Sequence, residues 1–189
     1  MLYMLRDILK TIAVSAPVGI LFSFIILFTI GLKDSSFKKN LYSMAQKAKS
    51  RSYRYKFYYM IYMYIIFSRT VVCRESNYEP LSDVLGGWKI FQHKYTGLDY
   101  QVIGNVIMFI PLTVFLAAIL NSHKLSFKKI MMICLSSSFL YSLFIELCQL
   151  ATKRGTFQLS DLVWNTLGGF IGFLIYSAIN KMYKHKKIS

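Results

Sequence analysis

From Ser142 to Tyr176 the chain reads SLFIELCQLATKRGTFQLSDLVWNTLGGFIGFLIY, two apolar runs around a polar break that holds Glu146, Gln149, Lys153, Arg154, Asp161 and Asn165. Such groups can do acid–base chemistry or hold a polar ligand, and Glu146 and Asp161 are the candidate catalytic pair, one as acid and one as base. Glu146 and Gln149 share a helix face by i, i+3 spacing, and Asp161 and Asn165 by i, i+4. A glutamate one turn inside hydrocarbon costs about 2 to 3 kcal/mol on insertion scales, so a partner is expected, with Arg69 and Arg154 the natural choices. No nucleophilic dyad or phosphate loop stands out, and His93, His123 and His185 are scattered. Cys134 and Cys148 fall in one expected helix about 21 Å apart at 1.5 Å per residue, too far to bond. No Cys/His spacing suggests a metal, so neither metal nor cofactor is expected.

These residues need helices to hold them. The chain has 189 residues, 55% of them hydrophobic, and apolar runs of spanning length recur between short Lys/Arg-rich loops. The pattern predicts an all-α, polytopic helical membrane protein with about five spans: Thr11 to Leu32, Phe57 to Val72, Val102 to Leu120, Ile130 to Leu150 and about Asp161 to Asn180. The first follows Arg6 and Lys10 like a signal peptide, but it is too long and lacks a small-x-small cleavage site. Pro111 at the centre of the third span removes a backbone bond to Ile107, which predicts a kink. Between the first two spans, Phe37, Leu41, Met44, Ala45 and Ala48 recur at helical spacing among lysines, as in a helix lying on an anionic membrane surface. Three regions result: 1–56 with the first span and the basic segment, 57–180 with four helices, and a basic tail at 181–189.

The formal charge of +15 suits nucleic acid, but its distribution has a topological explanation and no nucleic-acid partner is expected. Segment 33–56 holds eight basic residues, the loop after the third span Lys124, Lys128 and Lys129, and the tail Lys181, Lys184, Lys186 and Lys187. The alternate segments hold seven, and Arg69 lies within a span. The positive-inside rule therefore puts the N-terminus outside and the C-terminus in the cytoplasm. Arg69, Asn105, Glu146, Gln149, Arg154, Asp161 and Asn165 then meet at one external level, as a polar layer at the outer ends of four helices. In the last span, Gly168 and Gly172 form a G-x-x-x-G pair beside Gly169, which allows close approach of another helix.

GNVIMFIPL around Asn105 and Pro111, IELCQ with Glu146 and Gln149, and RGTFQLSDLVWNTLGGFIG from Arg154 to Gly172 together resemble the VanZ-like family of bacterial membrane proteins. The resemblance covers roughly Tyr58 to Tyr176, including Arg69 and Pro80; Thr113 stands where the family pattern has glycine. It makes the first span and the basic segment an extension before a four-helix core. It also implies a bacterial cell-membrane protein, associated in some members with lowered susceptibility to teicoplanin-type lipoglycopeptides.

Three functions are expected from the polar layer and this resemblance. The leading one is non-enzymatic: an outward-facing site that meets a lipoglycopeptide or a lipid-linked wall precursor beside membrane lipid. The second is an enzyme on a lipid-linked envelope substrate that uses Glu146 and Asp161. The third is a structural or assembly subunit whose segment 33–56 recruits a partner or anionic lipid.

Overall fold

A computed structural model describes residues 2–32, 36–89, 91–92, 97–121, 123 and 125–186. Lys33, Asp34, Lys94, Lys124 and Lys187, which enter the charge count, and His93 lie outside the described residues. The helices are α1 (Leu2–Gly31), α2 (Phe37–Ala48), α3 (Arg51–Phe67), α4 (Tyr100–Asn121), α5 (Phe127–Thr152) and α6 (Leu159–Lys186). A π turn, Ser68–Val72, continues α3, and a two-residue hairpin, β1 (Phe91–Gln92) with β2 (Gly97–Leu98), precedes α4.

Four helical stretches are long and apolar enough to cross a membrane: Ala13–Gly31, Tyr100–Asn121, Phe127–Thr152 and Leu159–Lys184. The protein is thus a multi-pass helical membrane protein. The stretch expected as the second span is helical, in α3 and its π turn, 17 and five residues long. Six tyrosines and four cations between Arg51 and Val72 keep its hydropathy below that of the other four.

The chain divides into two compact units, Met1–Cys73 and Arg74–Ser189. In the first, α3 packs on α1. A Cβ at Gly19 would lie 3.1 Å from the Tyr64 ring, so glycine is what lets that tyrosine settle on α1. The Ser15 and Ser68 hydroxyls bond at 2.7 Å, a buried polar link between the two helices. Ser50 caps α3, its side chain accepting from the Tyr53 N–H at 3.2 Å.

In the second unit α6 packs along both α4 and α5. Gly168 and Gly172 lie against the backbone of α4 at Val106 and Ile110, and Gly169 lies against Ser138 of α5. The G-x-x-x-G face is therefore a three-helix seam, where van der Waals contact between backbones replaces side-chain interdigitation. Thr113 fills part of this seam against Gly172, its hydroxyl bonding back to the carbonyls of Phe109 and Ile110 at 3.2 and 3.1 Å. Small and polar side chains such as Ser138 and Ser142 are fully buried, whereas Ile107, Leu140, Phe144 and Leu147 are exposed. This reverses a soluble bundle and fits lipid as the surrounding solvent. An apolar cluster of Ala117, Ile130, Cys134 and Phe173 closes the end of the unit that is remote from the polar groups.

Candidate functional site

Antiparallel packing brings the start of α4, the end of α5 and the start of α6 to one end of the second unit. Its cover is built from two loops. The α5–α6 loop begins at Lys153, left-handed at φ 52°, and turns at Gly155, φ 81°. It is stitched to the segment after Arg74 by main-chain bonds. Asn77 N donates to Lys153 O at 2.7 Å, Gly155 N to Glu75 O at 3.2 Å, Phe157 N to Pro80 O at 2.9 Å and Leu159 N to Val84 O at 2.8 Å. Ser76 and Arg154 form an antiparallel bridge. The Gly86-Gly87 turn, with Gly86 at φ 70°, completes the cover, and the Trp164 indole N–H fastens it by donating to Gly87 O at 3.0 Å.

Beneath this cover Glu146 is 1% exposed, Gln149 1%, Asn165 4% and Asp161 6%. Glu146 Oε2 accepts from the backbone N–H of Gln158 at 2.8 Å. Gln158 Nε2 donates to Asp83 Oδ2 at 2.9 Å, while its Oε1 accepts from Gln101 Nε2 at 2.8 Å. Gln158 therefore ties α4, α5 and the cover to the start of α6. Deeper in, Asn165 Nδ2 donates to Ser142 Oγ at 2.8 Å.

Asp161 is faced by Asn105, Arg74, Gln101 and Ser160. Asn105 Nδ2 stands close enough to act on this carboxylate electrostatically but closes no hydrogen bond of good geometry. Glu146 and Asp161 feel one another's charge, and Arg74 opposes both. The Arg74 guanidinium lies on Gly155, where a Cβ would come within 2.6 Å of Nε. Asn165 Oδ1 and Ser160 Oγ are buried with no hydrogen-bond partner among the described residues.

Of the seven expected layer residues, Asn105, Glu146, Gln149, Arg154, Asp161 and Asn165 lie in this second unit. Arg69 lies in the π turn of the first. Glu146 accepts from a main-chain N–H, and the charge of Arg74 acts on both acids. Arg154 contributes main chain: its N–H donates to Gln149 O at 3.0 Å, and it bridges Ser76. Arg74, Asp83, Gln101, Ser142 and Gln158 were not expected. Gln158 offered the best signal, since it lies in the polar break just before a helix start.

The model of the VanZ/LLP1 family matches residues 18–180. The chain belongs to the VanZ/LLP1 family. It is similar to Protein VanZ of Enterococcus faecium, with 33% identity over 95 residues, 49% of this chain and 54% of that protein. The match thus spans about half the length of this curated relative. No solved structure matches the chain. The VanZ/LLP1 match begins inside α1 and runs through the basic segment. The motif-rich residues that carry the resemblance lie after Tyr58. Every motif behind the resemblance sits in the second unit, in α4, α5, α6 or the α5–α6 loop.

Chemically, two buried carboxylic acids with amides, main-chain N–H groups and one guanidinium can exchange a proton, grip a polar ligand, or lock helices in register.

Proposed function

We propose that this VanZ/LLP1 membrane protein lowers the action of teicoplanin-type lipoglycopeptides at the outer leaflet. In this reading Glu146, Asp161, Asn105, Asn165, Arg74 and Arg154 form an outward-facing polar site for the drug or for a lipid-linked wall precursor. The observation that carries it is the concentration of two acids and several amides at one end of an otherwise apolar helical unit. Maintaining them there is expensive, and the buried Asn165 Oδ1 has bonding capacity left over among the described residues. Because the cluster lies under the cover, a ligand reaches it only when residues 75–87 swing off the α5–α6 loop. Orientation follows from charge: basic segment 33–56 and the loop after α4 share the cytoplasmic side only if α3 crosses the membrane.

The test is expression in a susceptible Gram-positive host, with teicoplanin and vancomycin inhibition measured side by side. A shift for the lipidated drug that is lost in Glu146→Gln and Asp161→Asn, at equal membrane abundance, supports the reading. No shift for teicoplanin with the wild-type chain argues against it. Closure of the cover favours a second reading, a polar lock that sets helix register with no ligand. On that reading Glu146→Gln lowers stability and leaves drug susceptibility where it was. An enzymatic reading uses the same two acids and requires envelope lipid composition to change when Glu146→Gln replaces the wild type.

A further inference from the structure

The first unit has its own polar feature, unrelated to the carboxylates. Helix α2 does not bury its apolar stripe: Phe37 and Leu41 are 64% and 41% exposed, and Ala45 and Ala48 are exposed too. Its inward face is mostly polar, with Met44 half-buried beside Ser43. Asn40 is buried and Lys47, seven residues on, is half-buried. An apolar stripe left exposed next to Lys38, Lys39 and Lys49 is the arrangement of a helix resting on a membrane surface.

Behind α2, within this unit, lies a cavity of about 480 Å³. Leu27 and Ile30 of α1 and Met60 of α3 supply apolar wall, and Lys47, Lys56 and Tyr53 supply the polar groups. The Tyr53 hydroxyl is buried and has no hydrogen-bond partner among the described residues. The Lys47 ammonium lies by the last turn of α1, 3.8 Å from where a Gly31 Cβ would be. There it offsets the negative end of the helix dipole. Two ammonium groups and a phenol O–H are all donors and offer no carboxylate to an incoming group. They suit a phosphate diester, and the apolar wall suits the first methylenes of an acyl chain. The volume is in the range of sites that hold a small ligand or part of a larger one.

We propose that this cavity binds one anionic phospholipid, its phosphate held by Lys47, Lys56 and Tyr53 and its chain lying along Leu27, Ile30 and Met60. The exposed stripe of α2 keeps the cavity at headgroup depth, so the lipid enters from the leaflet.

The full-length protein in detergent micelles, doped with phosphatidylglycerol or phosphatidylcholine, provides the test, read by native mass spectrometry and by thermal unfolding. Phosphatidylglycerol is expected to be retained and to raise the Tm, and phosphatidylcholine to do neither. Lys47→Gln with Lys56→Gln removes two charged donors to the phosphate and should weaken phosphatidylglycerol binding about 30-fold. Lys38→Gln with Lys39→Gln removes the same charge from the exposed side of α2 and should leave binding nearly unchanged. Equal loss in both double variants would mean general surface attraction and overturns the site. So does equal protection by soluble glycerol phosphate, which has no chain, or equal retention of phosphatidylcholine. If the Lys47/Lys56 variant fails to fold, Tyr53→Phe decides: severalfold weaker binding with an intact fold supports the site, and unchanged binding overturns it.

Discussion

Glu146 shows how much a single buried acid depends on its acceptor role. Its Oε2 receives the Gln158 N–H at 2.8 Å beneath a closed cover, so removing the oxygen leaves a buried donor unsatisfied. Glu146→Ala is expected to cost about 1–3 kcal/mol. Glu146→Gln, which keeps an acceptor oxygen, should cost clearly less; thermal unfolding of both variants in one detergent checks this. A large loss in Glu146→Gln as well would mean that the charge itself is needed, with Arg74 as its counterpart. The glycines of α6 make a second case. A Cβ at Gly172 would collide with Ile110 O and the Thr113 hydroxyl, so Gly172→Ala should destabilise by about 1–3 kcal/mol through overpacking. Gly104→Ala, at an exposed position of α4 with open space around it, should be neutral or stabilising by up to about 1 kcal/mol. Comparison of the two melting temperatures separates crowding from helix propensity. Glu146, Asp161 and Asn165 were legible because each interrupts an apolar run. Gln101 and Gln158 were not, since both lie at helix starts where polar residues are ordinary, and neither was Ser142, a small residue within the body of α5. Arg74 was hidden for another reason: only the turn at Gly155 brings its side chain back over the site.

The helices and the cover differ in what holds them. Spans α4, α5 and α6 follow from hydropathy, and their observed limits extend the expected ones by one to six residues at each end. The cover depends instead on five main-chain hydrogen bonds that join residues 75–85 to 153–160, several of them flanking left-handed positions. Gly155→Ala places a side chain at φ 81° and drives it into Arg74. The conformational cost alone is about 1–2 kcal/mol. The expected result is faster hydrogen exchange at Asn77 and Phe157, with exchange in the middle of α5 unchanged. Equal acceleration throughout would mean that cover and helices open as one unit. Helix α2 was legible as amphipathic from the helical spacing of Phe37, Leu41, Met44, Ala45 and Ala48. Which face would point inward was not, because an apolar stripe reads the same whether it meets protein or lipid.

For the molecule as a whole, the decisive variable is whether α3 crosses the bilayer. Its tyrosines lower its hydropathy, yet without its crossing the two basic loops would lie on opposite sides. In a chain freed of native cysteines, Ser50→Cys and His123→Cys should be labelled by a membrane-impermeant thiol reagent only after permeabilisation. Restored Cys73 should be labelled in intact cells. Labelling of Ser50→Cys in intact cells would place the basic segment outside and remove the argument for an outward polar cluster.

Hydropathy and the order of charges were enough to specify the membrane class, the apolar spans, the G-x-x-x-G seam and the principal buried acids, because each is written in consecutive residues and governed by transfer from water to hydrocarbon. The partners of those acids were decided by the fold. Gln158 meets Glu146, Asp83 and Gln101, and the charge of Arg74 acts on both carboxylates. These meetings depend on where two loops cross and on left-handed turns at Lys153 and Gly155. Hydrogen bonds act over a few ångströms between residues that stand 75 positions apart in the chain, as Gln158 and Asp83 do, and no local pattern encodes which of them will meet.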